Sequence, residues 1–151
     1  MKLMMYPEDK VILRKICANV ENIDDIRQDI KEMATFLLQN KNAMGLAGPQ
    51  VGKSLRFFLM KINNQPLRVC INPRYISTAG LIKSQENCLS IPSQTNSKTE
   101  LEIKKINRKS KVKIEYTTPD NRQITEEFTG LEAICVQDEM DHLIGKLILD
   151  Y

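Results

Sequence analysis

A short segment near the end of the chain constrains the fold more than any other feature of the sequence. In residues 130–143 (GLEAICVQDEMDHL) the apolar positions are too continuous for a strand and fall on neighbouring faces of a helix. Asp138 and His142 are four residues apart, and Glu139 lies beside them. Side chains at this spacing share one face of a helix. The segment therefore predicts a C-terminal helix that presents a carboxylate and an imidazole side by side.

This predicted helix carries part of a metal-binding pattern. His142 is the only histidine in the chain. The order Asp138-Glu139-x-x-His142 has the layout of H-E-x-x-H, in which two residues four apart bind a metal ion and the glutamate moves protons. Aspartate takes the place of the first histidine. Because acidic helix faces are common, this segment alone favours an ordinary solvated face.

Two further segments change that interpretation. Residues 86–92 (ENCLSIP) contain Cys88, whose thiolate could complete a metal site with His142. Residues 43–52 (AMGLAGPQVG) combine glycines, which allow close backbone approach, with Gln50, whose amide can polarise a carbonyl group. With these two segments, a thiolate, an imidazole and a carbonyl-polarising amide become candidates for one site.

The rest of the chain predicts an α+β fold. Apolar residues recur at three- and four-residue steps from Ile26 to Leu37, which is typical of an amphipathic helix. Strands are predicted over residues 55–60, 67–71, 101–104, 112–116 and 123–128. Pro73 is predicted to stop the second of these strands. We expect one domain, residues 1–151, with largely antiparallel sheets packed around a central C-terminal helix.

Composition excludes several other classes of protein. The net charge is +3 and no basic cluster is dense, so no DNA partner is predicted. No apolar run reaches membrane-spanning length, and the first ten residues lack a signal-like apolar core. The four cysteines have no C-x-x-C spacing, which favours free thiols or one metal-bound thiolate over disulfides. We therefore expect a protein of the cytoplasm or of an organelle stroma or matrix, neither secreted nor membrane-bound.

The three segments resemble, in order and spacing, the signature motifs of the peptide deformylase family: G-x-G-L-A-A-x-Q, E-G-C-L-S and Q-H-E-x-D-H-L. The resemblance extends to the opening, residues 7–14, and to residues 106–108, where Arg108 matches a structural arginine. It implies removal of the N-formyl group from the first methionine of new polypeptides. It also implies a divalent metal, natively Fe²⁺, with Zn²⁺, Ni²⁺ or Co²⁺ as substitutes.

The resemblance assigns roles to individual residues. Cys88 and His142 match metal ligands, and Asp138 occupies the position of the third ligand. Glu139 matches the general acid/base that takes a proton from the attacking water and delivers it to the leaving amine. Gln50 and the backbone N–H of Leu89 match the groups that donate hydrogen bonds to the oxyanion formed on the formyl carbonyl. The expected walls of the pocket for the substrate methionine are Gly45, Leu46, Ile134 and Cys135.

Four positions depart from the family pattern: Ala43, Gly48, Asn87 and Asp138. Asp138 matters most, because aspartate reaches less far than histidine and its charge makes a bound ion a weaker acid. The leading hypothesis is an active but slow deformylase. One alternative is a protein that binds N-terminal methionine peptides without useful turnover, and another is a hydrolase of a different acylated peptide.

The resemblance also suggests partners. Formyl-methionyl nascent peptides are the expected substrates, and a monomer is expected. Many bacterial relatives continue into a C-terminal helix associated with ribosome docking, whereas this sequence stops at Tyr151. We therefore expect no ribosome recruitment by that route.

Overall fold

A computed structural model describes residues 1–93 and 101–151. Three α-helices and seven strands form the described fold, joined by short 3₁₀ turns. The helices are α1 (Lys10–Leu13), α2 (Arg27–Gln39) and α3 (Gly130–His142). The strands are β1 (Gly45–Ala47), β2 (Phe57–Met60), β3 (Arg68–Ala79), β4 (Ile82–Glu86), β5 (Lys104–Arg108), β6 (Lys111–Thr117) and β7 (Gln123–Thr129).

The strands form two antiparallel sheets. A five-stranded sheet has the order β1-β2-β3-β6-β7, and a separate two-stranded sheet pairs β4 with β5. The pairs β2–β3 and β6–β7 join strands that follow one another along the chain. In β6 and β7 the residues alternate between more and less buried positions, as expected of a sheet with one covered face. Helix α3 packs against β1, β2, β6 and β7. The α+β class, with antiparallel sheets around a C-terminal helix, is therefore confirmed.

The core between α3 and the large sheet explains why most of α3 is buried. Apolar side chains from both elements pack together, including Phe58, Val112, Phe128, Val136 and Met140. A second apolar cluster holds α2 against the other face of β1 and β2 through Met33, Leu37, Leu46, Phe57 and Leu59. Because the sheet is covered on both faces at β1 and β2, β2 is buried along its whole length.

Strand β3 differs from the sequence prediction, which ended it at Pro73. The strand runs through the proline to Ala79, with a register shift between Ile71 and Arg74. A bulge tolerates proline because no ladder hydrogen bond from its nitrogen is needed there. Asn72 adopts φ 49° at this point, and its side chain bonds the backbone of Val20 at 2.8 and 2.9 Å.

Three smaller observations bear on the earlier expectations. The predicted strand at residues 101–104 lies further along, because β5 begins only at Lys104. Within the described residues, no helix is long and apolar enough to cross a membrane. All four cysteines are free and buried.

Candidate metal and substrate site

The structure brings two of the predicted metal ligands together. Cys88 follows β4 in a turn closed by a hydrogen bond from the Ile91 N–H to the Cys88 carbonyl, at 3.0 Å. His142 is the last residue of α3. The Cys88 Sγ and His142 Nε2 atoms lie 3.4 Å apart, and both residues are buried. The motif segments that are 54 residues apart in sequence therefore meet at one point.

The protonation of this pair suits metal binding by the imidazole. Burial lowers the pKa of His142 to about 4, so its ring is neutral at neutral pH. The 3.9 Å contact between His142 Nε2 and Asp138 Oδ2 is therefore not an ion pair under those conditions. Burial, together with the Asp138 carboxylate, raises the pKa of the Cys88 thiol well above its usual range. A bound cation would favour the thiolate.

Distances test how well the three predicted ligands fit a metal ion. Metal–sulfur and metal–nitrogen bonds of tetrahedral sites place the two donor atoms about 3.6 Å apart. The Cys88–His142 distance of 3.4 Å agrees with this value. A nitrogen and an oxygen ligand would be about 3.4 Å apart, whereas Asp138 lies 3.9 Å from His142. In residues 1–93 and 101–151, no three His, Cys, Asp or Glu side chains are already grouped as a metal site.

Arg108 accounts for the position of Asp138. Asp138 Oδ1 accepts a hydrogen bond from Arg108 Nη2 at 3.4 Å, which leaves Oδ2 on the side of His142. Burial raises the pKa of Asp138 to about 7, and the Arg108 guanidinium opposes this rise. The separation of Cys88 and His142 thus fits two ligands of one ion, whereas the Asp138 side chain must rotate to become the third ligand.

The guanidinium of Arg108 is the centre of a buried polar network. Its Nε and Nη2 atoms form a two-pronged pair with Glu86, at 2.9 and 2.7 Å. Its Nη1 atom donates to Asp141 at 2.6 Å and to the Tyr151 hydroxyl at 2.8 Å. With the bond to Asp138, all five N–H groups have acceptors. The predicted structural role of Arg108 agrees with this network, which ties β4 and β5 to α3.

Glu139 lies buried on the floor of the site. The residue is 3% exposed, and its Oε2 atom has no hydrogen-bond partner among the described residues. Burial, and then the Asp138 carboxylate, raises the pKa of Glu139 well above its usual range. A carboxylate in this condition readily accepts and returns a proton. Its close neighbour is Gly45, where an added Cβ would lie 2.2 Å from Glu139 Oε1.

Gln50 faces the same site. Its Oε1 atom accepts the backbone N–H of Ala47 at 2.9 Å, which fixes the orientation of the amide. Its Nε2 atom is then directed to Cys88 Sγ at 3.4 Å and to Ser90 Oγ at 3.3 Å. The amide N–H groups are therefore directed at the side of the site that holds Cys88.

A cavity of about 580 Å³ opens onto these groups. Its floor contains Cys88, Asp138 and Glu139, and Gln50 lies in its wall. The apolar part of the wall includes Met44, Leu89, Leu101, Leu131, Ile134 and Cys135. Polar side chains, among them Lys41, Lys61 and Glu86, line the rest of the cavity. An apolar wall next to polar groups that can fix orientation suits a small apolar side chain beside a reactive bond.

Most of the predicted pocket residues line this cavity, and one does not. Gly45, Ile134 and Cys135 are among the wall residues, and so is Leu89, which was expected as an oxyanion donor. Leu46 is fully buried in the cluster with α2, because successive residues of β1 face opposite sides of the sheet. Sequence reasoning missed Leu131, although it precedes Ile134 by three residues on α3 and therefore shares its face.

The fold and the site define a class of protein. The α+β domain brings a cysteine and a histidine together next to a cavity. A glutamate and an amide donor of fixed orientation lie beside them, and these are the parts of a metallo-hydrolase. Residues 1–151 match the family model described as "Polypeptide deformylase". The chain belongs to this family and is a metal-dependent hydrolase of the deformylase class.

Individual relatives agree with this membership. The peptide deformylase of Wigglesworthia glossinidia brevipalpis is 38% identical, over 100% of this chain and 94% of that protein. The crystal structure of the Thermotoga maritima peptide deformylase has a TM-score of 0.85 and 29% identity, over 99% of this chain and 95% of that one. The Synechococcus elongatus peptide deformylase, crystallised with actinonin, has a TM-score of 0.86 and 32% identity, over 99% of this chain and 79% of that one.

Proposed function

We propose that this protein hydrolyses the N-formyl group from the first methionine of newly made polypeptides, at a divalent ion held by Cys88 and His142. Asp138 occupies the position of the third ligand. The observation that carries the proposal is the buried Cys88–His142 pair, 3.4 Å apart, whose cysteine lines a cavity together with Glu139.

The donor atoms limit which ion is suitable. A thiolate and an imidazole suit Fe²⁺, Co²⁺, Ni²⁺ and Zn²⁺, whereas Mg²⁺ and Ca²⁺ prefer oxygen ligands. We propose Fe²⁺ as the native ion, from the family resemblance. When bound, such an ion polarises the formyl carbonyl and makes the attacking water more acidic.

The side chains of this chain supply the remaining steps. Glu139 takes a proton from the water that attacks the formyl carbon, and returns it to the amine nitrogen as the carbon–nitrogen bond breaks. The products are formate and a peptide with a free amino group. Gln50 Nε2 and the backbone N–H of Leu89 donate hydrogen bonds to the oxygen that carries negative charge during the attack.

The cavity positions the substrate. The methionine side chain of the peptide enters the apolar part of the cavity, against Leu131, Ile134 and Cys135. This contact holds the formyl group over Glu139 and excludes water from the apolar wall, which strengthens the hydrogen bonds made there. The substrates are nascent chains, so the proposal places the protein in the cytoplasm or an organelle stroma or matrix, as a monomer.

Asp138 makes a slow enzyme the expected outcome. Its carboxylate is shared with Arg108, and it lies further from His142 than a ligand would. The same observation favours a second candidate function, in which the cavity binds N-terminal methionine peptides without useful turnover. Product analysis separates the two.

The test uses formyl-Met-Ala-Ser and the protein loaded with Fe²⁺ or Co²⁺ in the absence of oxygen. The proposal predicts formate and Met-Ala-Ser in equal amounts, and no release of acetate from acetyl-Met-Ala-Ser. In the Glu139→Gln variant, metal content should remain and formate release should stop, because the variant loses the proton carrier and no ligand. Binding of the formyl peptide without formate would support the second candidate. Release of acetate at a similar rate would indicate a hydrolase of another acyl class.

A further inference from the structure

Two lysines line the cavity on the side that β1 and β2 form. Lys41 lies in the turn before β1, where the Ala43 N–H donates to the Asn40 carbonyl at 2.9 Å. Lys61 follows β2 directly, and its backbone N–H donates to the Met44 carbonyl at 2.8 Å. Because this bond joins the end of β2 to the segment before β1, the two lysines belong to the same wall of the cavity.

The exposure of the lining residues separates the floor of the cavity from its open end. Gln50, Cys88 and Glu139 are 2–4% exposed. In contrast, Lys41 is exposed and Lys61 is half-buried. A lysine side chain keeps its charged end in water while its stem follows the protein surface. The two ammonium groups therefore lie at the open end of the cavity.

The carboxyl groups of the described lining offset little of this positive charge. They belong to Glu86, Asp138 and Glu139. Glu86 forms the two-pronged pair with Arg108. Asp138 and Glu139 lie on the floor of the cavity, and burial raises the pKa of both carboxyl groups, which reduces their negative charge at neutral pH. The open end is therefore positively charged.

Both ammonium groups are available to a ligand. Within residues 1–93 and 101–151, the lysine side chains that form ion pairs are those of Lys53 and Lys111, so Lys41 and Lys61 have no counter-charge there. The Lys61 ammonium donates one hydrogen bond to the Asn63 carbonyl. This bond holds the group at the opening and leaves two of its three N–H donors for a ligand.

A peptide in the cavity meets these lysines a few residues from its start. In the proposed function the first residue lies at the floor, so the chain that follows it leaves through the open end. A cavity of about 580 Å³ is on the order of 8 Å across, and an extended chain covers this distance in about two to three residues. The third residue is therefore expected to pass the lysines.

We propose that Lys41 and Lys61 bind an acidic side chain at the third residue of the peptide, so that the protein prefers nascent chains with a carboxylate there. A carboxylate accepts hydrogen bonds at both oxygens and can therefore pair with two ammonium groups. Neither lysine lies in the motif segments 43–52, 86–92 and 137–143, so both are separate from the groups that carry the chemistry. The inference rests on the proposed function for the position of the first residue, and deepens it by naming a class of substrate.

The test compares three peptides that differ in one side chain. Acetyl-Met-Ala-Glu-Ser amide and its counterparts with glutamine or lysine as the third residue are titrated into the purified protein by calorimetry near neutral pH, with the metal content of each sample determined. The glutamate peptide should bind about threefold more tightly than the glutamine peptide and about tenfold more tightly than the lysine peptide. Added salt should reduce both differences, because it screens exposed charges.

Variants of the two lysines test whether they cause the preference. Lys41→Gln and Lys61→Gln should each reduce the preference for glutamate over lysine to about threefold, and the double variant should abolish it. Lys83→Gln is the matched control, because it removes the same charge from an exposed position of β4 that does not line the cavity. The preference should remain about tenfold in this variant.

A second control moves the charge along the peptide. Two acetylated seven-residue peptides of the same composition begin with methionine and carry their one glutamate at the third or at the last position. The first of them should bind about threefold more tightly. Equal binding would overturn the inference, because a general attraction of negative peptides would then explain the preference.

The outcomes separate this inference from the proposed function. If the glutamate and lysine peptides bind equally, or neither binds, the inference is wrong, even if formyl-Met-Ala-Ser is hydrolysed. If glutamate is preferred through Lys41 and Lys61 and no formate is released, the inference holds and the proposed function fails. Loss of the preference in Lys83→Gln to the same degree as in Lys41→Gln would also overturn the inference.

Discussion

Gly45 offers a sharp test of where the proton carrier lies. In β1, a Cβ added to Gly45 would lie 2.2 Å from Glu139 Oε1 and 2.9 Å from Cys135 Sγ. Ordinary contacts between non-bonded heavy atoms are near 3.5 Å, so the carboxylate in Gly45→Ala must move by about 1 Å. A displacement of about 1 Å in a reacting group can lower a rate by about 100-fold. We therefore expect kcat for formate release to fall by about that factor.

The effect of Gly45→Ala on stability should be much smaller. Overpacking costs about 1–3 kcal/mol, and the loss of unfolded-chain entropy offsets about 0.4–1 kcal/mol of it. Urea unfolding should show a net loss of about 1–2 kcal/mol. Metal content should not change, since Cys88 and His142 keep their positions.

Gly130→Ala is the contrasting control for this variant. Gly130 has φ +58° and nothing within 4 Å of an added Cβ. This variant should lose about 1 kcal/mol of stability from backbone strain and keep its kcat. A Gly45→Ala protein with unchanged kcat would refute the placement of Glu139 against β1.

Three further predictions follow from the same geometry. Asp138→His should raise metal content and the rate of formate release together, most clearly near neutral pH, because it restores the reach and the net positive charge of the site; a variant that fills with metal and stays slow would place the defect elsewhere. Arg108→Met should lower the free energy of unfolding by about 3–5 kcal/mol, because Glu86 is left buried and unpaired; a loss below about 1 kcal/mol in urea would contradict the network described above. Burial raises the pKa of the Cys17 thiol to about 11 and that of the Cys70 thiol well above its usual range. Both thiols should therefore resist a thiol reagent at mildly alkaline pH until the protein unfolds. Reaction in the native state would show that they are accessible.

The sequence predicted the elements whose patterns are local. The alternation in β6 and β7 and the continuous apolar character of α3 each follow from neighbours along the chain. The meeting of Cys88 with His142 was also predicted, but through the resemblance of their segments to one family. Spacing along the chain does not bring together two residues that are 54 positions apart.

Other features depend on tertiary contacts that no local pattern carries. Pro73 stays inside β3 because a bulge and the Asn72 side chain accommodate it. Leu46 turns away from the cavity because β1 alternates, although its neighbour Gly45 lines it. The hydrogen bond from Arg108 to Asp138 requires β5 to lie beside α3. This placement is a tertiary contact, so the local sequence does not predict it.

The central claim is that Cys88 and His142 hold an ion on which deformylation depends. The most direct measurement removes the metal with a chelator, adds back Co²⁺ in steps, and follows formate release from formyl-Met-Ala-Ser. The account predicts no formate from the stripped protein, recovery that is complete at one ion per chain, and no recovery in Cys88→Ser. Formate release that persists without metal, or that returns fully in Cys88→Ser, would contradict it.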